Sequence, residues 1–166
     1  MIIKFLIGVF LFAAPRPGDS IQNFRKQLAR NIELYMPLPP EILLHDTCYH
    51  NTDLLKVEVN KSFKVVSIDL SDSAPAWLKK ELNEIKKRKR IDYKKLDSLA
   101  LKAGLRNCTL VFPLIVESNY FPCGKENKKS KINERFFQFG GKNLKGNIIF
   151  GEQIKFVWPV DYRVQI

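Results

Sequence analysis

The run His45-Asp46-Thr47-Cys48-Tyr49-His50 is the densest set of chemically capable side chains in this sequence. Two imidazoles, a thiol and Asp53 close behind are donor types that zinc or copper accepts. The His-x-x-Cys-x-His spacing fits no established metal motif, no CxxC occurs, and these are the only two histidines. The run is therefore read as a polar connection that holds no metal, with Cys48 packed or disulfide-bonded. Cys48 also imitates half of a thiol–imidazole pair; loop placement and sequence adjacency argue against that role. No GxSxG, HExxH, Walker loop or Rossmann fingerprint is present. The expectation is a protein that is not an enzyme and uses no cofactor.

The elements that would position these groups are read from periodicity. Leu55, Val57 and Val59 alternate with Lys56, Glu58 and Asn60, and Val66, Ile68 and Leu70 alternate with Ser67 and Asp69. A period of two assigns each set to one face of a strand. The short NKSFK stretch between them predicts a β-hairpin over Leu54–Leu70. Before it, Ile21, Phe24, Leu28, Ile32 and Tyr35 form one stripe of a helix over Ser20–Tyr35, stopped by Pro37, Pro39 and Pro40. After it, Ser71-Asp72-Ser73-Ala74-Pro75 reads as a helix start with a capping side chain. That helix carries Trp77, Leu78, Leu82 and Ile85 to about Lys87. A second helix, Asp92–Ala103, has Asp92 as cap and Gly104 as stop. Cys108–Glu117 is a third strand whose Pro113 argues either for an edge position or for a proline that faces away from a partner. Ser118–Asn133 reads as a lysine-rich loop. The strands Phe136–Phe139, Asn147–Phe150 and Gln153–Trp158 follow, with Gly151-Glu152 as a turn between the last two. They extend the sheet or form a separate flap. The predicted fold is α+β: a three-stranded antiparallel sheet packed by two or three helices, with extra C-terminal strands.

The chain is 166 residues, 45% apolar with twelve Phe, so one real core is affordable and wholesale disorder is excluded. Its net charge of +11 implies attraction to nucleic acid, lipid head groups or acidic proteins. Residues 1–14, with Lys4 ahead of the apolar run Phe5–Ala14, match a secretory signal cut near 13–14 and are too short to span a bilayer. A buried apolar segment or an uncleaved anchor is the competing reading. The three boundaries expected are thus a signal at 1–14, a domain at 20–117, and a basic loop with a β extension at 118–166. Of Cys48, Cys108 and Cys123, an exported location permits a Cys48–Cys108 disulfide if the first and third strands are neighbours, with Cys108–Cys123 competing.

With the elements in order, four stretches carry a resemblance: Phe24–Glu41, a helix running into a proline exit; the hairpin Leu55–Ser73; the helix after it; and LVFPLIV, Leu110–Val116. The chain resembles the TonB C-terminal domain over about Ser20–Glu117. The resemblance implies a periplasmic interaction fold, but this chain has no proline-rich spacer of the kind a working transducer needs. The family's turn is Asp-x-x-Gly, and Phe63 stands at the glycine. A left-handed backbone would strain an aromatic residue there, so a different turn geometry is expected. The functional expectation is a non-catalytic periplasmic or secreted interaction module of the cell envelope, with a protein partner. That partner would add a strand at the third-strand edge, at Thr109, Leu110, Val111 and Phe112, unless the C-terminal strands cover that edge, which is the competing reading. The alternative is a basic binder of anionic surfaces, with a membrane surface favoured over nucleic acid.

Overall fold

The computed structural model describes residues 17–36, 49–119 and 134–159. The signal-like start, most of the His45–His50 run, Cys48, Cys123 and the lysine-rich stretch 120–133 lie outside them. In chain order the elements are α1 (Pro17–Glu33), β1 (His50–Val59), β2 (Val65–Leu70), α2 (Ala76–Lys87), α3 (Tyr93–Lys102) and β3 (Cys108–Asn119). A 3-10 turn (Glu134–Phe137), β4 (Gln138–Phe139), β5 (Lys142–Asn143), β6 (Ile148–Phe150) and β7 (Ile154–Pro159) complete it. The class is α+β. No described helix is long and apolar enough to cross a membrane.

Alternation builds the sheet. β1 pairs antiparallel with β2, Val57 opposite Ile68, and antiparallel with β3, Val57 opposite Leu110. Leu55, Val57, Ile68, Leu110, Phe112 and Leu114 therefore share one face and meet Phe24, Leu28 and Ile32 of α1, Leu78, Leu82 and Ile85 of α2, and Leu96 of α3 in one core. Each of these large side chains contributes about 1.5–3 kcal/mol by leaving water. The opposite face carries a smaller cluster, Leu54 and Val111 beneath Phe136 and Phe139. Those two phenylalanines come from the flap formed by the 3-10 turn and the antiparallel pair β4–β5.

The hairpin turn contains the geometry that the sequence argued against. Phe63 has φ +60. Asn60 organises the turn: its Oδ1 accepts from the N–H groups of Ser62 (2.9 Å) and Lys64 (3.0 Å), and its own N–H donates to Lys64 O at 2.9 Å. The side-chain bonds of Asn60 outweigh a left-handed cost of about 1 kcal/mol at Phe63.

Both C-terminal alternatives occur, since β4–β5 forms a flap and β6 and β7 extend the sheet. Gly151-Glu152 is not a hairpin turn. β6 and β7 run in the same direction, each parallel to β3. Val111 faces Phe150 and Leu114 faces Ile154, so one extra residue sits between the two segments. Thr109 N–H donates to Asn147 O and Gly151 N–H to Val111 O, so the polar groups of 109 and 111 aim toward β6. By alternation those of Pro113 aim the same way. Pro113 has no N–H to give, and the ladder breaks beside it.

Candidate functional site

The four residues expected to meet a partner strand are interior. Thr109, Leu110, Val111 and Phe112 pair with β1 on one side, and Thr109–Val111 pair with Ile148–Phe150 on the other. The proline that suggested an edge lies instead at the gap between two covering segments. On the far side of the sheet, β2 is outermost among the described strands. Its outward groups are taken at two places: Val65 N–H donates to Asp97 Oδ1 at 2.8 Å, and Ile68 O accepts from Lys86 Nζ at 3.0 Å. Side chains that occupy an edge in this way blunt it against strand addition.

Cys108 is a buried free thiol, and burial pushes its pKa up. Neither expected disulfide is formed. β1 and β3 are neighbours, but Cys108 lies opposite Val59 while β1 begins at His50 opposite Glu117. Nine residues of strand, about 30 Å, separate those two ends. His50 is exposed and its Nδ1 lies 3.4 Å from Glu117 Oε2, a carboxylate that Lys155 also contacts at 2.5 Å. Among the described residues no group of three His, Cys, Asp or Glu side chains is placed to hold a metal.

The helix-start signal at Ser71–Pro75 is used differently from expectation. Pro75 is the N-cap of α2 and no side chain caps it. The three candidate caps turn elsewhere. Ser73 Oγ and Ser71 Oγ donate to Asp53 Oδ1 at 2.9 and 3.3 Å, and Asn51 Nδ2 donates to Asp53 Oδ2. Asp53 is 1% exposed, and burial pushes its carboxyl above the usual range against the pull of those hydrogen bonds and of Lys79. Serine protons aimed straight at a carboxylate, with no imidazole between, make a structural network rather than a nucleophile.

Asp72 reaches the flap. Its Oδ1 and Oδ2 accept from the N–H groups of Gly140 (2.8 Å) and Gly141 (2.7 Å), and its own N–H donates to Gln138 O at 2.7 Å. Gly140 and Gly141 have φ +60 and +73, the left-handed pair a two-residue hairpin requires. That turn aims successive N–H groups at one anion. The Gly141 bond, with Gly140, Lys79 and Arg135 behind it, holds Asp72 below the ordinary carboxylate range. A cavity of about 400 Å³ opens between the flap, the sheet and α2. Its lysines are occupied: Lys56 by Glu58 at 2.9 Å, Lys86 by Asp69 at 3.2 Å, and Lys79 by Asp72 O at 2.9 Å.

Exposed cations without such partners among the described residues include Lys26 and Arg30 on α1, Lys61 in the β1–β2 turn and Lys142 and Lys145 on the flap, and they are densest on α2, α3 and the segments that end them. Residues 76–106 carry eleven lysines and arginines against four carboxylates, which is seven of the chain's eleven net positive charges. Lys80, Lys89, Lys94, Lys95, Lys102 and Arg106 are exposed and form no ion pair among the described residues. The apolar sides of both helices are spent on the core through Leu78, Leu82, Ile85, Leu96 and Ala100, which forces the charge outward. At the turn, Arg88 is held by Glu84 at 3.5 Å and Arg90 lies over the Tyr35 ring at 5.1 Å. Lys89, between them, has φ +55, which costs a residue with a β-carbon about 1 kcal/mol. The sequence showed the KKRKR cluster; that its last lysine, Lys89, is strained and forms no ion pair among the described residues appears only in the fold.

No family model, no curated protein and no solved structure matches this chain.

Proposed function

We propose that this protein is a non-catalytic interaction module of the cell envelope that docks on an anionic membrane surface through the basic segment formed by α2, α3 and the turn between them. The observation that carries the reading is the concentration there of six exposed cations that form no ion pair among the described residues, the densest such set in the described part of the chain. Each lysine or arginine near an acidic lipid surface contributes about 1 kcal/mol, falling off within a Debye length of about 10 Å. Lipid is preferred to single-stranded nucleic acid, because bases stack on exposed rings and beside the basic turn Tyr35 already holds Arg90 while Tyr93 is half-buried. The order helix, hairpin, two helices and strand supports the likeness to the TonB C-terminal domain with one helix added, and on that likeness the protein binds rather than catalyses. The signal-like start supports an exported location, periplasmic or secreted. Addition of a partner strand has less support, since the third strand is covered and the outer side of β2 is blunted.

The test is co-sedimentation with vesicles of zwitterionic lipid, with and without an anionic phospholipid, at low and physiological salt. Binding confined to the anionic vesicles and weakened steeply by salt is expected. Equal binding to both vesicle types, or binding indifferent to salt, would overturn the reading. Tighter binding to duplex DNA or RNA at the same salt would replace lipid with nucleic acid.

A further inference from the structure

The two helices of the basic segment, α2 and α3, end in the same backbone geometry, and only one of them uses the residue that geometry favours. At the end of α3, Gly104 (φ +67) donates its N–H to Leu101 O at 3.1 Å, and Leu105 N–H donates to Ala100 O at 2.9 Å. At the end of α2, Lys89 (φ +55) donates to Lys86 O and Arg90 donates to Ile85 O, both at 3.0 Å. These are the paired bonds of a Schellman ending, whose left-handed position is most often glycine. The chain uses glycine at 104 and lysine at 89.

Three further observations separate Lys89 from its neighbours. Arg88 is engaged by Glu84 and Arg90 by the Tyr35 ring. Lys89 is exposed and pairs with nothing among the described residues. It also stands at the turn between the helices, where no element of the core needs its side chain. Backbone strain kept at an exposed, unpaired charge points to a use for that charge outside the fold.

We infer that Lys89 is the principal lipid-phosphate contact of this protein, with Arg88 and Arg90 beside it holding the turn in position. The inference rests on the membrane-surface reading above and locates its centre. Lys89 is a strongly hydrated point charge with three donors, suited to a phosphate group reached from any side.

The experiment uses the whole chain and pairs two readouts that a structural role would move together. Lys89→Gly relieves the strained position and removes the charge. The melting temperature is expected to rise by about 2–4 °C, while affinity for vesicles containing anionic phospholipid falls about fivefold, the loss of one surface cation. Lys89→Asn, which tolerates the same backbone, should lose the same affinity. Lys80→Gln removes an equal charge at least about 10 Å back along α2 and should lose less than twofold. If wild type binds the anionic vesicles and Lys89→Gly binds them equally well, the inference is overturned while the surface reading stands. Equal losses for Lys80→Gln and Lys89→Gly also overturn it, because the charge then acts as a diffuse field. If wild type binds no anionic vesicle, the underlying reading fails and the inference falls with it.

Discussion

The α-carbon of Gly151 lies against the Phe112 ring: a β-carbon at 151 would stand 2.3 Å from Phe112 Cε1. Phe112 is 0% exposed in the core at the centre of β3, so the ring can yield only by displacing its neighbours there. The glycine is also the residue at which β6 leaves the ladder beside Pro113. Gly151→Ala is predicted to destabilise the fold by about 1–3 kcal/mol through overpacking, measured by denaturant unfolding. An unchanged midpoint would show that the ring can yield.

The flap should answer to acid through Asp72. Its carboxyl is held low, first by the Gly141 N–H and then by Gly140, Lys79 and Arg135. A depressed folded-state value means that the stabilisation is present above the unfolded value, about 3.9, and is lost as pH falls through the folded one. Exchange of the Gly140 and Gly141 amides is therefore predicted to quicken below that window in wild type. Asp72→Ala should show the quick exchange at neutral pH, with a global loss of only about 1 kcal/mol because the site is wet. Amides equally protected in the variant would mean that Phe136 and Phe139 hold the flap alone.

Asp53 should act with the opposite sign. Burial raises its pKa, and the bonds from Ser73, Asn51 and Ser71 offset only part of the rise. A carboxyl raised in the folded state favours folding fully below the unfolded value, and that contribution is lost as pH rises through the folded one. The unfolding free energy of wild type minus that of Asp53→Asn is predicted to be largest in acid, to fall across that window and then to level. A difference that is flat or that grows with pH would contradict the burial argument. Ser73→Ala should cost about 1–3 kcal/mol at neutral pH, since it strips a bond from a buried charge.

Phe63 offers a direct reading of turn strain. Phe63→Ala removes the half-buried ring and keeps a β-carbon in the left-handed position; Phe63→Gly removes both. The glycine variant is predicted to be the more stable of the two by about 1 kcal/mol, read from thermal unfolding of the pair. If alanine is equal or better, the turn relaxes out of the left-handed region once the ring is gone.

The parts of this fold that sequence reveals are those whose partners lie close in the chain. The hairpin of Leu54–Leu70, the cap at Asp92, whose carboxylate accepts from Lys95 N–H, and the stop at Gly104 are local patterns with local causes. Ser71, Asp72 and Ser73 read as helix caps because local chemistry offers nothing better. The fold brings Asp53 and the Gly140–Gly141 turn within reach, and those long-range acceptors and donors win. Pro113 was ambiguous in the same way: a missing N–H signals an unpaired position, and only the placement of residues 148–157 shows that the gap lies inside the sheet. The basic cluster was legible as charge. Which of its members the fold neutralises depends on Glu84, Tyr35 and Asp69 meeting it in space, and Lys89 remains after those pairings.

The parallel attachment of β6 and β7 has a consequence for how the chain is made. Synthesis delivers α1 first, and the strand that α1 rests on comes near the end: Arg25 donates to Gln153 O, and Phe24 shares a core with Ile154 and Phe156. A growing chain released only as far as β3 has one flank of that strand open, and the same side of Phe24 and Phe112 meets water. Closing it requires a crossing from Asn119 to Ile148 and a parallel pairing of distant segments, a slow kind of step. Until residues 148–159 reach β3 this protein is therefore a sheet lacking its parallel strands, and that interval is when it is most exposed to wrong partners.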